Sequence, residues 1–262
     1  LRLDSQYEFR YSKAMAFPRR IREILFAIWI IKEHLKIKFD LVHAHSTFPT
    51  GFAVVILQKI FGIPSVVSLD GGEGVSLPDV GFGDGGNTLR TILNKWIINR
   101  ANVVTTLTRF HSELIHKNLA VKREIKVLTR GVDIETFRSS AGNKISSPVQ
   151  FLSVGYLSPV KDPKTLLRAF FLIQQHIDCM LTCIGRDYMS GEVHRMASDM
   201  GISHKVNFIE YVEYNQLNEY YHDAHVLLHT SRYESQGMVI VEAMGSGLLI
   251  CGTNVGLMKD LE

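Results

Sequence analysis

Residues 226–251 read VLLHTSRYESQGMVIVEAMGSGLLIC. Two short apolar runs, at 226–229 and 248–251, enclose a polar loop and a helical pattern that begins near Gly237. This order of strand, loop, helix and strand is the unit with which a parallel sheet presents a helix N-terminus to a ligand. The stretch therefore predicts an α/β fold built on a parallel sheet.

Two glutamates in this stretch are candidate binding groups, Glu234 in the predicted loop and Glu242 in the predicted helix. The first-turn amides of a helix that begins at Gly237 lack partners inside the helix and carry partial positive charge, so they suit a phosphate. One carboxylate could accept both hydroxyls of a ribose, and the other could face a sugar ring that becomes cationic. An ordinary Rossmann-type crossover with two solvated glutamates explains the same spacing, and the residues alone leave both interpretations open.

The same residues resemble the Glu-x7-Glu signature of retaining glycosyltransferases of family-four type, which have the two-Rossmann GT-B fold. The family pattern is roughly Pro-Ser-x-x-Glu-Gly-Phe-Gly-x-x-x-x-Glu-Ala-Met-Ala-x-Gly-x-Pro-Val. Ser235 and Gln236 replace its Gly-Phe pair next to the donor sugar, which leaves the choice of sugar open. Leu249 stands where proline is usual, and Gly256-Leu257 replaces a Gly-Gly pair. The matching positions are Glu234, Gly237, Glu242, Ala243, Met244 and Gly247.

Composition narrows the class of protein. A chain of 262 residues forms one large domain or two small ones, and 46% hydrophobic and 21% charged residues are ordinary for a globular protein. Cys179, Cys183 and Cys251 form neither a disulfide framework nor a zinc pattern, which favours a reducing, cytoplasmic setting. A net charge of +3 argues against a dedicated nucleic-acid binder.

Positive charge is concentrated near the start of the chain. Residues 1–40 contain nine Lys or Arg against five Asp or Glu, and Arg19, Arg20 and Arg22 precede an apolar run at 24–31. That run is far shorter than the ~20 residues of a membrane-spanning helix, and its long polar lead-in is unlike a signal peptide. A buried helix packed on a sheet is one interpretation. The other is a basic amphipathic surface that contacts anionic lipid at the inner face of a membrane, since many enzymes of the family glycosylate lipid-linked acceptors.

The resemblance implies two Rossmann-like domains whose parallel sheets face a central cleft. We expect an acceptor-side domain at 1–143 and a nucleotide-sugar-binding domain at 148–262, separated by the polar segment 139–148. Residues 1–11 alternate like an edge strand, but the glycine loop with which the family opens is not visible, and the family usually continues well beyond residue 262. We therefore expect a fragment that is truncated at both ends.

Polar residues follow two predicted strands of the first domain, at 40–45 and 64–69. Ligands of parallel sheets gather at the carboxyl ends of strands, although polar caps of buried strands explain the histidines equally well. The segments are similar to the family's Asp-x-x-His-x-His and x-Pro-x-Val-x-x-x-His-Gly, with Asp70 about where a histidine that helps to hold donor sugar or acceptor is often found. The resemblance makes Asp70 a catalytic candidate. The expected acceptor-side residues are His45, Gly71, Gly72 and Glu73.

The first predicted strand of the second half is followed by Gly155-Tyr-Leu-Ser-Pro-Val-Lys161. The segment is similar to the family's Gly-Arg-Leu-x-x-x-Lys-Gly, whose lysine and often arginine bind the donor diphosphate. Lys161 matches the lysine, but Tyr156 replaces the arginine, so one expected charge is missing. A solvated lysine at a strand–helix turn is the alternative. With residues 210–212 where the family's backbone contacts the base, the resemblance implies a donor site of Gly155, Lys161, Tyr211, Val212, Gly237, Met238, Val239 and Glu242.

The resemblance implies a nucleotide-sugar-dependent glycosyltransferase that retains the anomeric configuration, in glycan, polysaccharide or glycolipid biosynthesis. Lys161 and the amides of 237–239 would hold the diphosphate, Glu242 the ribose, and Glu234 would act as the catalytic carboxylate beside the sugar. No Asp-x-Asp occurs in the sequence, which fits metal-free binding of a UDP-, GDP- or ADP-linked donor without a further cofactor. The expected partners are that donor and a sugar, lipid-linked or small-molecule acceptor, without nucleic acid.

Other classes of function fit less well. A non-catalytic nucleotide-sugar-binding module, or another GT-B enzyme such as an epimerase, remains open. A nicotinamide dehydrogenase would need a Gly-x-Gly-x-x-Gly after a strand, and residues 81–86 spell that pattern only after a loop. Zinc binding by His222, His225 and His229 is disfavoured because they span a helix end and a strand.

Overall fold

The computed structural model describes residues 19–84, 86–138 and 146–262, with the side chains of residues 19–24 excepted. By internal packing the chain divides into two compact units. The first contains the described residues up to Ser76, with Gly83–Thr106 and Leu114–Lys126, and the second contains Leu77–Phe82, Leu107–Glu113 and Val127–Glu262. The predicted edge strand at 1–11 lies outside the described residues, as does most of the predicted boundary at 139–148.

A four-stranded sheet with strand order β1-β2-β3-β4 forms the centre of the first unit. β1 pairs with β2 and β2 with β3 in parallel, so that Val67 lies between Ala44 and Val104. All three of these side chains are buried, as expected for a parallel sheet that is covered on both faces. The strands are β1 (Val42–His45), β2 (Ser65–Leu69), β3 (Val103–Thr106) and β4 (Lys126–Val127).

A five-stranded sheet with strand order β7-β6-β5-β8-β9 forms the centre of the second unit, and all of its pairs are parallel. Leu152, Leu181 and Leu227 lie at the centre of neighbouring strands and are completely or almost completely buried. The strands are β5 (Val149–Val154), β6 (Cys179–Ile184), β7 (Val206–Ile209), β8 (Val226–His229) and β9 (Leu249–Gly252). This order, 3-2-1-4-5 within the unit, is that of a Rossmann fold, and the chain reverses direction across the sheet between β5 and β8.

Helices alternate with the strands along the chain. The prediction of two Rossmann-like α/β halves with parallel sheets is therefore confirmed, and residues 226–251 fold as β8, a loop, one helix and β9. The helices are α1 (Arg19–Ile37), α2 (Phe52–Phe61), α3 (Thr88–Arg100), α4 (Arg109–Leu119), α5 (Ile134–Phe137), α6 (Pro163–Ile173), α7 (Glu192–Asp199), α8 (Tyr214–Asp223), α9 (Met238–Gly245) and α10 (Leu257–Asp260).

The segment at 76–84, between β2 and α3, contains some regular structure. Residues Pro78–Val80 form a single 3-10 turn, and Leu77 and Phe82 make an antiparallel bridge around it. α1 includes the apolar run at 24–31. Among the residues with described positions, no helix is long and apolar enough to cross a membrane.

Candidate functional site

The strongest candidate site lies where the strand order of the second unit reverses, at the carboxyl ends of β5 and β8. In open parallel sheets this is the position at which ligands bind. The hydroxyl of Thr230, the residue that follows β8, donates to the backbone carbonyls of Lys161 (3.2 Å) and Asp162 (3.0 Å) in the loop that follows β5. The two loops are thereby joined at one edge of the sheet.

The start of α6 fixes the position of Lys161. Asp162 is the N-cap of that helix, and its side chain accepts hydrogen bonds from the backbone and the hydroxyl of Thr165 (3.2 and 2.8 Å). Pro163 occupies the first helical position, where its missing N–H costs no hydrogen bond. Lys161 therefore stands directly before a well-capped helix, and its ammonium group lies 2.5 Å from Oε1 of Glu234.

Glu234 is buried, with 9% of its surface exposed. Besides Lys161, its Oε1 accepts from the Ser231 hydroxyl (2.7 Å) and lies 3.1 Å from Nε2 of His229. Burial by itself would raise the pKa of Glu234, but the hydrogen bond from His229, the charge of Lys161 and the Ser231 hydroxyl together lower that pKa to about 2. The carboxylate is therefore ionised throughout the neutral pH range.

The helix α9 begins beside this loop. Its N-cap, Gly237, has a φ of +86°, and a Cβ at this position would lie 2.8 Å from Cδ1 of Ile240. Both observations explain why glycine stands there. The predicted donor residues Met238 and Val239 form the start of the first turn of α9, whose amides have no partners within the helix.

Glu242 lies in the second turn of α9 and is 5% exposed. Its Oε2 accepts a hydrogen bond of 2.7 Å from the hydroxyl of Tyr221, a fully buried residue of α8. Burial raises the pKa of Glu242, and the hydrogen bond from Tyr221 offsets part of that rise. Burial and the Glu242 carboxylate raise the pKa of Tyr221 far above its usual range, so the phenol remains a donor.

A cavity of about 560 Å³ opens at the carboxyl ends of β5, β6 and β7. Four of the predicted donor residues line it, Gly155, Lys161, Tyr211 and Val212. The other four lie in α9 and its N-cap, after the neighbouring strand, and the Lys161–Glu234 contact connects the two groups. The roles assigned to all eight residues stay predictions.

Three further polar residues line this cavity and were not predicted as ligands, Tyr156, Arg186 and Tyr188. Glu210, from the segment 210–212 that was expected at the base, also lines it. The sequence contains a signal for the two that follow β6, because each of β5 and β6 ends in an apolar residue followed by a glycine. A Cβ on Gly185 would lie 2.1 Å from the carbonyl oxygen of Gly155, so the chains pack backbone to backbone here. The repeated pattern of a strand followed by a glycine indicates that the loops after β5 and β6 border the same cavity.

The predicted residues of the first unit lie at the ends of β1 and β2. Nδ1 of His45 is 2.7 Å from Oδ2 of Asp70, and the His45 side chain is largely exposed. Nε2 of His43 lies 2.7 Å from the Ser68 hydroxyl, and the rings of His43 and His45 are 4.5 Å apart between centroids. The structure thus brings His45 and Asp70 together as an accessible pair.

Glu73 faces the interior of the first unit. It is 3% exposed, and its two carboxylate oxygens accept from the backbone amides of Thr47 (3.2 Å) and Gly71 (3.0 Å). Burial raises the pKa of Glu73, and these amides lower it by less. The carbonyl of Gly72 accepts from the amides of Val75 and Asp84. Glu73 therefore holds the loop after β2 in place through buried hydrogen bonds to these two amides.

Metal-binding clusters are absent from the described part of the chain, where no group of three or more His, Cys, Asp or Glu side chains could hold a metal ion. Nδ1 of His225 accepts from the backbone amide of Gln150, and His229 contacts Glu234. Two of the three histidines considered for zinc thus have separate structural partners.

Two Rossmann-like units in one chain are the architecture of the GT-B class. The chain belongs to a glycosyltransferase family of this class: the model described as "Glycosyltransferase Family 4" matches residues 3–136, and "Glycosyl transferases group 1" matches residues 135–262. The predicted resemblance to family-four-type enzymes is confirmed.

Curated relatives resemble most of the chain. D-inositol 3-phosphate glycosyltransferase 2 of Catenulispora acidiphila is 25% identical over 237 residues, which cover 83% of this chain and 55% of the relative. An uncharacterised glycosyltransferase of Methanocaldococcus jannaschii is 25% identical over 236 residues, with 86% and 60% covered. The chain thus spans a little over half the length of the curated relatives it matches.

Solved structures share the fold. Sucrose-phosphate synthase from Thermosynechococcus elongatus aligns with a TM-score of 0.77 at 20% identity, over 92% of this chain and 63% of that chain. Anabaena HepE, in complex with UDP and glucose, aligns with a TM-score of 0.73 at 20% identity, over 91% and 65%. At these identities the likeness establishes the fold alone.

Proposed function

We propose that the protein transfers a sugar from a nucleotide-sugar donor to an acceptor with retention of the anomeric configuration, in glycan, polysaccharide or glycolipid biosynthesis. The observation that carries this proposal is the contact between Lys161 and Glu234 at the strand reversal, beside the first turn of α9. The structural neighbour HepE was solved in complex with UDP and glucose, which supports a nucleotide-sugar donor.

In this proposal Lys161 and the amides of residues 237–239 hold the donor diphosphate. An ammonium group has three donors, so Lys161 can keep its hydrogen bond to Glu234 while it contacts a phosphate oxygen. Negative charge grows on the diphosphate as it leaves, so fixed positive groups stabilise the transition state more than the ground state. Neither a divalent metal nor a further cofactor takes part.

Glu242 binds the ribose in this proposal. Tyr221 holds one carboxylate oxygen, and the other accepts hydrogen bonds from the ribose hydroxyls. The backbone of Tyr211 and Val212, across the cavity from Lys161, contacts the base. Gly155 has no side chain, which lets the donor approach the backbone closely.

Glu234 stabilises the sugar as it becomes cationic. The bond between the anomeric carbon and the diphosphate oxygen breaks, and its electron pair stays on the diphosphate. The acceptor oxygen then bonds to the anomeric carbon on the same face, and its proton passes to the leaving diphosphate. With its pKa lowered to about 2, Glu234 carries a full negative charge beside the reacting carbon.

The His45–Asp70 pair, in which the His45 ring is largely exposed, is proposed as the acceptor side of the first unit, with the backbone at Gly71 and Gly72 next to it. Asp70 orients His45, which contacts an acceptor hydroxyl. The acceptor is a sugar, a lipid-linked sugar or a small molecule.

We further propose a cytoplasmic location with peripheral contact at the inner face of a membrane, because the net positive charge of residues 1–40 suits anionic lipid.

A thermal-shift screen with UDP-, GDP- and ADP-sugars, with and without magnesium, tests donor binding. We expect a higher melting temperature with one nucleotide, independent of magnesium, since a ligand of the native state stabilises it by mass action. Glu234→Gln is then assayed for sugar transfer with that donor. Loss of transfer with retained donor binding supports an enzyme. Near-normal transfer by the variant contradicts the catalytic role, and wild-type binding without any turnover indicates a non-catalytic binding module.

A further inference from the structure

A second cation, Arg186, lines the same cavity as Lys161. Beyond Gly155 and Gly185 the parallel pairing of β5 with β6 continues, since Leu157 forms a bridge with Asp187 and its amide donates to the carbonyl of Arg186 (3.0 Å). Val154 pairs with Ile184 in the same register. Arg186 is therefore the cross-strand neighbour of Tyr156, in the loop that precedes Lys161.

The charge of Arg186 is poorly neutralised in the free protein. Its Nε lies 3.6 Å from Oε1 of Glu210, and both side chains are more than 60% exposed, so the pair is weak. Its guanidinium carbon lies 6.0 Å from the centre of the Tyr188 ring. Lys161, in contrast, lies 2.5 Å from the buried Glu234. Among the described residues that line the cavity, Arg186 is the cation with the greater freedom to bind an anion.

The order of strands places these charges in a row along the edge of the sheet. Glu234 follows β8, Lys161 follows β5, Arg186 follows β6, and residues 210–212 follow β7. Neighbouring strands are ~4.8 Å apart, so the row extends over roughly 14 Å. A ligand that extends along this edge from Glu234 to residues 210–212 passes both Lys161 and Arg186.

We propose that Arg186 binds the donor diphosphate together with Lys161, as a positioning residue that shifts from Glu210 to the phosphates. The inference rests on the proposed function and adds a residue to it. A guanidinium presents parallel N–H donors that match two phosphate oxygens, which a lysine ammonium does not. The ring of Tyr188 supports the guanidinium on its apolar side.

Isothermal titration of the chain with a nucleoside diphosphate and with the corresponding nucleoside tests this role. For Arg186→Ala we expect about 10- to 100-fold weaker binding of the diphosphate, the range for hydrogen bonds between charged groups, and unchanged binding of the nucleoside. Arg195→Ala is the matched control, because Arg195 is exposed, lies outside the cavity and donates to the nearby carbonyl of Ser190. It is expected to bind both ligands as the wild type does.

A rescue variant tests whether a guanidinium at this edge of the sheet is sufficient for the affinity. Since residues 156 and 186 are cross-strand neighbours, Arg186→Ala with Tyr156→Arg returns a guanidinium to the same edge and is expected to recover most of the lost affinity. Arg186→Lys retains the charge without the paired donors and is expected to lie between the wild type and Arg186→Ala.

The outcomes separate this inference from the proposed function. If the wild type binds no nucleoside diphosphate, the proposed function itself fails. If the wild type binds and Lys161→Ala weakens binding while Arg186→Ala does not, the inference on Arg186 is overturned and the proposed function stands. Equal loss of diphosphate and nucleoside binding in Arg186→Ala also overturns it, since Arg186 would then contact the nucleoside.

Discussion

The ammonium group of Lys161 lies 2.5 Å from Oε1 of Glu234, although 73 positions separate the two residues in the sequence. The contact joins the loop after β5 to the loop after β8, the two strands between which the sheet order reverses. In the proposed function it places the cation that binds a phosphate beside the anion that stabilises a developing sugar cation. Four predictions follow from this arrangement and the residues that support it.

Stability should depend on the ionisation of Glu234. Its pKa in the folded chain, about 2, lies below the ordinary value of 4.5, so the carboxylate stabilises the fold above pH 4.5 and loses this effect as the pH falls towards 2. The full effect corresponds to about 3 kcal/mol in the free energy of unfolding. Denaturant unfolding of wild type and Glu234→Gln at a series of pH values measures it.

The difference in stability between wild type and Glu234→Gln should therefore shrink in acid. Glu219→Gln, at an exposed position of α8, serves as the control and should unfold like the wild type at every pH. A difference between wild type and Glu234→Gln that stays constant from neutral pH to about pH 2 would show that Glu234 is not held by these partners.

Lys161→Ala should weaken both folding and donor binding. Removing the lysine leaves Glu234 buried with less compensation for its charge, and we expect a loss of about 1–3 kcal/mol after allowing for the partial exposure of Lys161. Lys164→Ala is the matched control, because Lys164 lies three positions after Lys161 and makes an exposed ion pair with Glu192. Urea unfolding and titration with nucleoside diphosphates compare the two variants. Equal behaviour of both would contradict the role of Lys161.

The assignment of Glu242 to the ribose predicts selectivity for hydroxyl groups. Glu242→Gln should bind a nucleoside diphosphate about 10-fold more weakly than the wild type, since hydrogen bonds to a charged group are replaced by neutral ones. The wild type should prefer the ribose nucleotide to its deoxy analogue, and the variant should have lost most of this preference. If the variant keeps the full preference for the ribose nucleotide, the ribose does not bind at Glu242. Titration of both proteins with both nucleotides supplies the comparison.

Gly185 is predicted to be irreplaceable for packing reasons. A Cβ there would lie 2.1 Å from the carbonyl oxygen of Gly155, and the φ of +149° is also unfavourable for other residues. Gly201→Ala is the control, because Gly201 has a positive φ of +70° but open space around its Cβ position. We expect Gly201→Ala to cost about 1–2 kcal/mol from backbone strain alone, and Gly185→Ala to cost distinctly more. Equal losses of stability in the two variants, measured by thermal or urea unfolding, would mean that the loops at Gly155 and Gly185 move apart at little cost.

Apolar runs bounded by glycine or polar residues predicted the strands of the second unit well. β8 has the predicted bounds, 226–229, because short buried strands of a parallel sheet leave a local signal in the sequence. The helix α5 was not predicted. It has a single turn that is capped by Asp133, too short for a periodic pattern.

The resemblance indicated candidate residues for the site, but the sequence could not indicate the contacts between them. Resemblance indicated Lys161 and Glu234 as separate ligands of one donor, whereas their direct ion pair depends on how two distant loops meet. Glu73 was expected on the acceptor side. It is buried and accepts a hydrogen bond from the amide of Thr47, 26 positions away, and no local sequence pattern indicates such a distant contact. Arg186 was not predicted because its place beside Tyr156 depends on the pairing of β5 with β6, which the sequence of one loop does not reveal.

The most direct test of the donor site is titration of the wild-type chain and of Lys161→Ala with UDP, GDP and ADP in the presence of a metal chelator. The account predicts that the wild type binds one of the three without metal and that Lys161→Ala binds it about 10- to 100-fold more weakly. Absence of binding to all three by the wild type, or equal binding by both proteins, would contradict it.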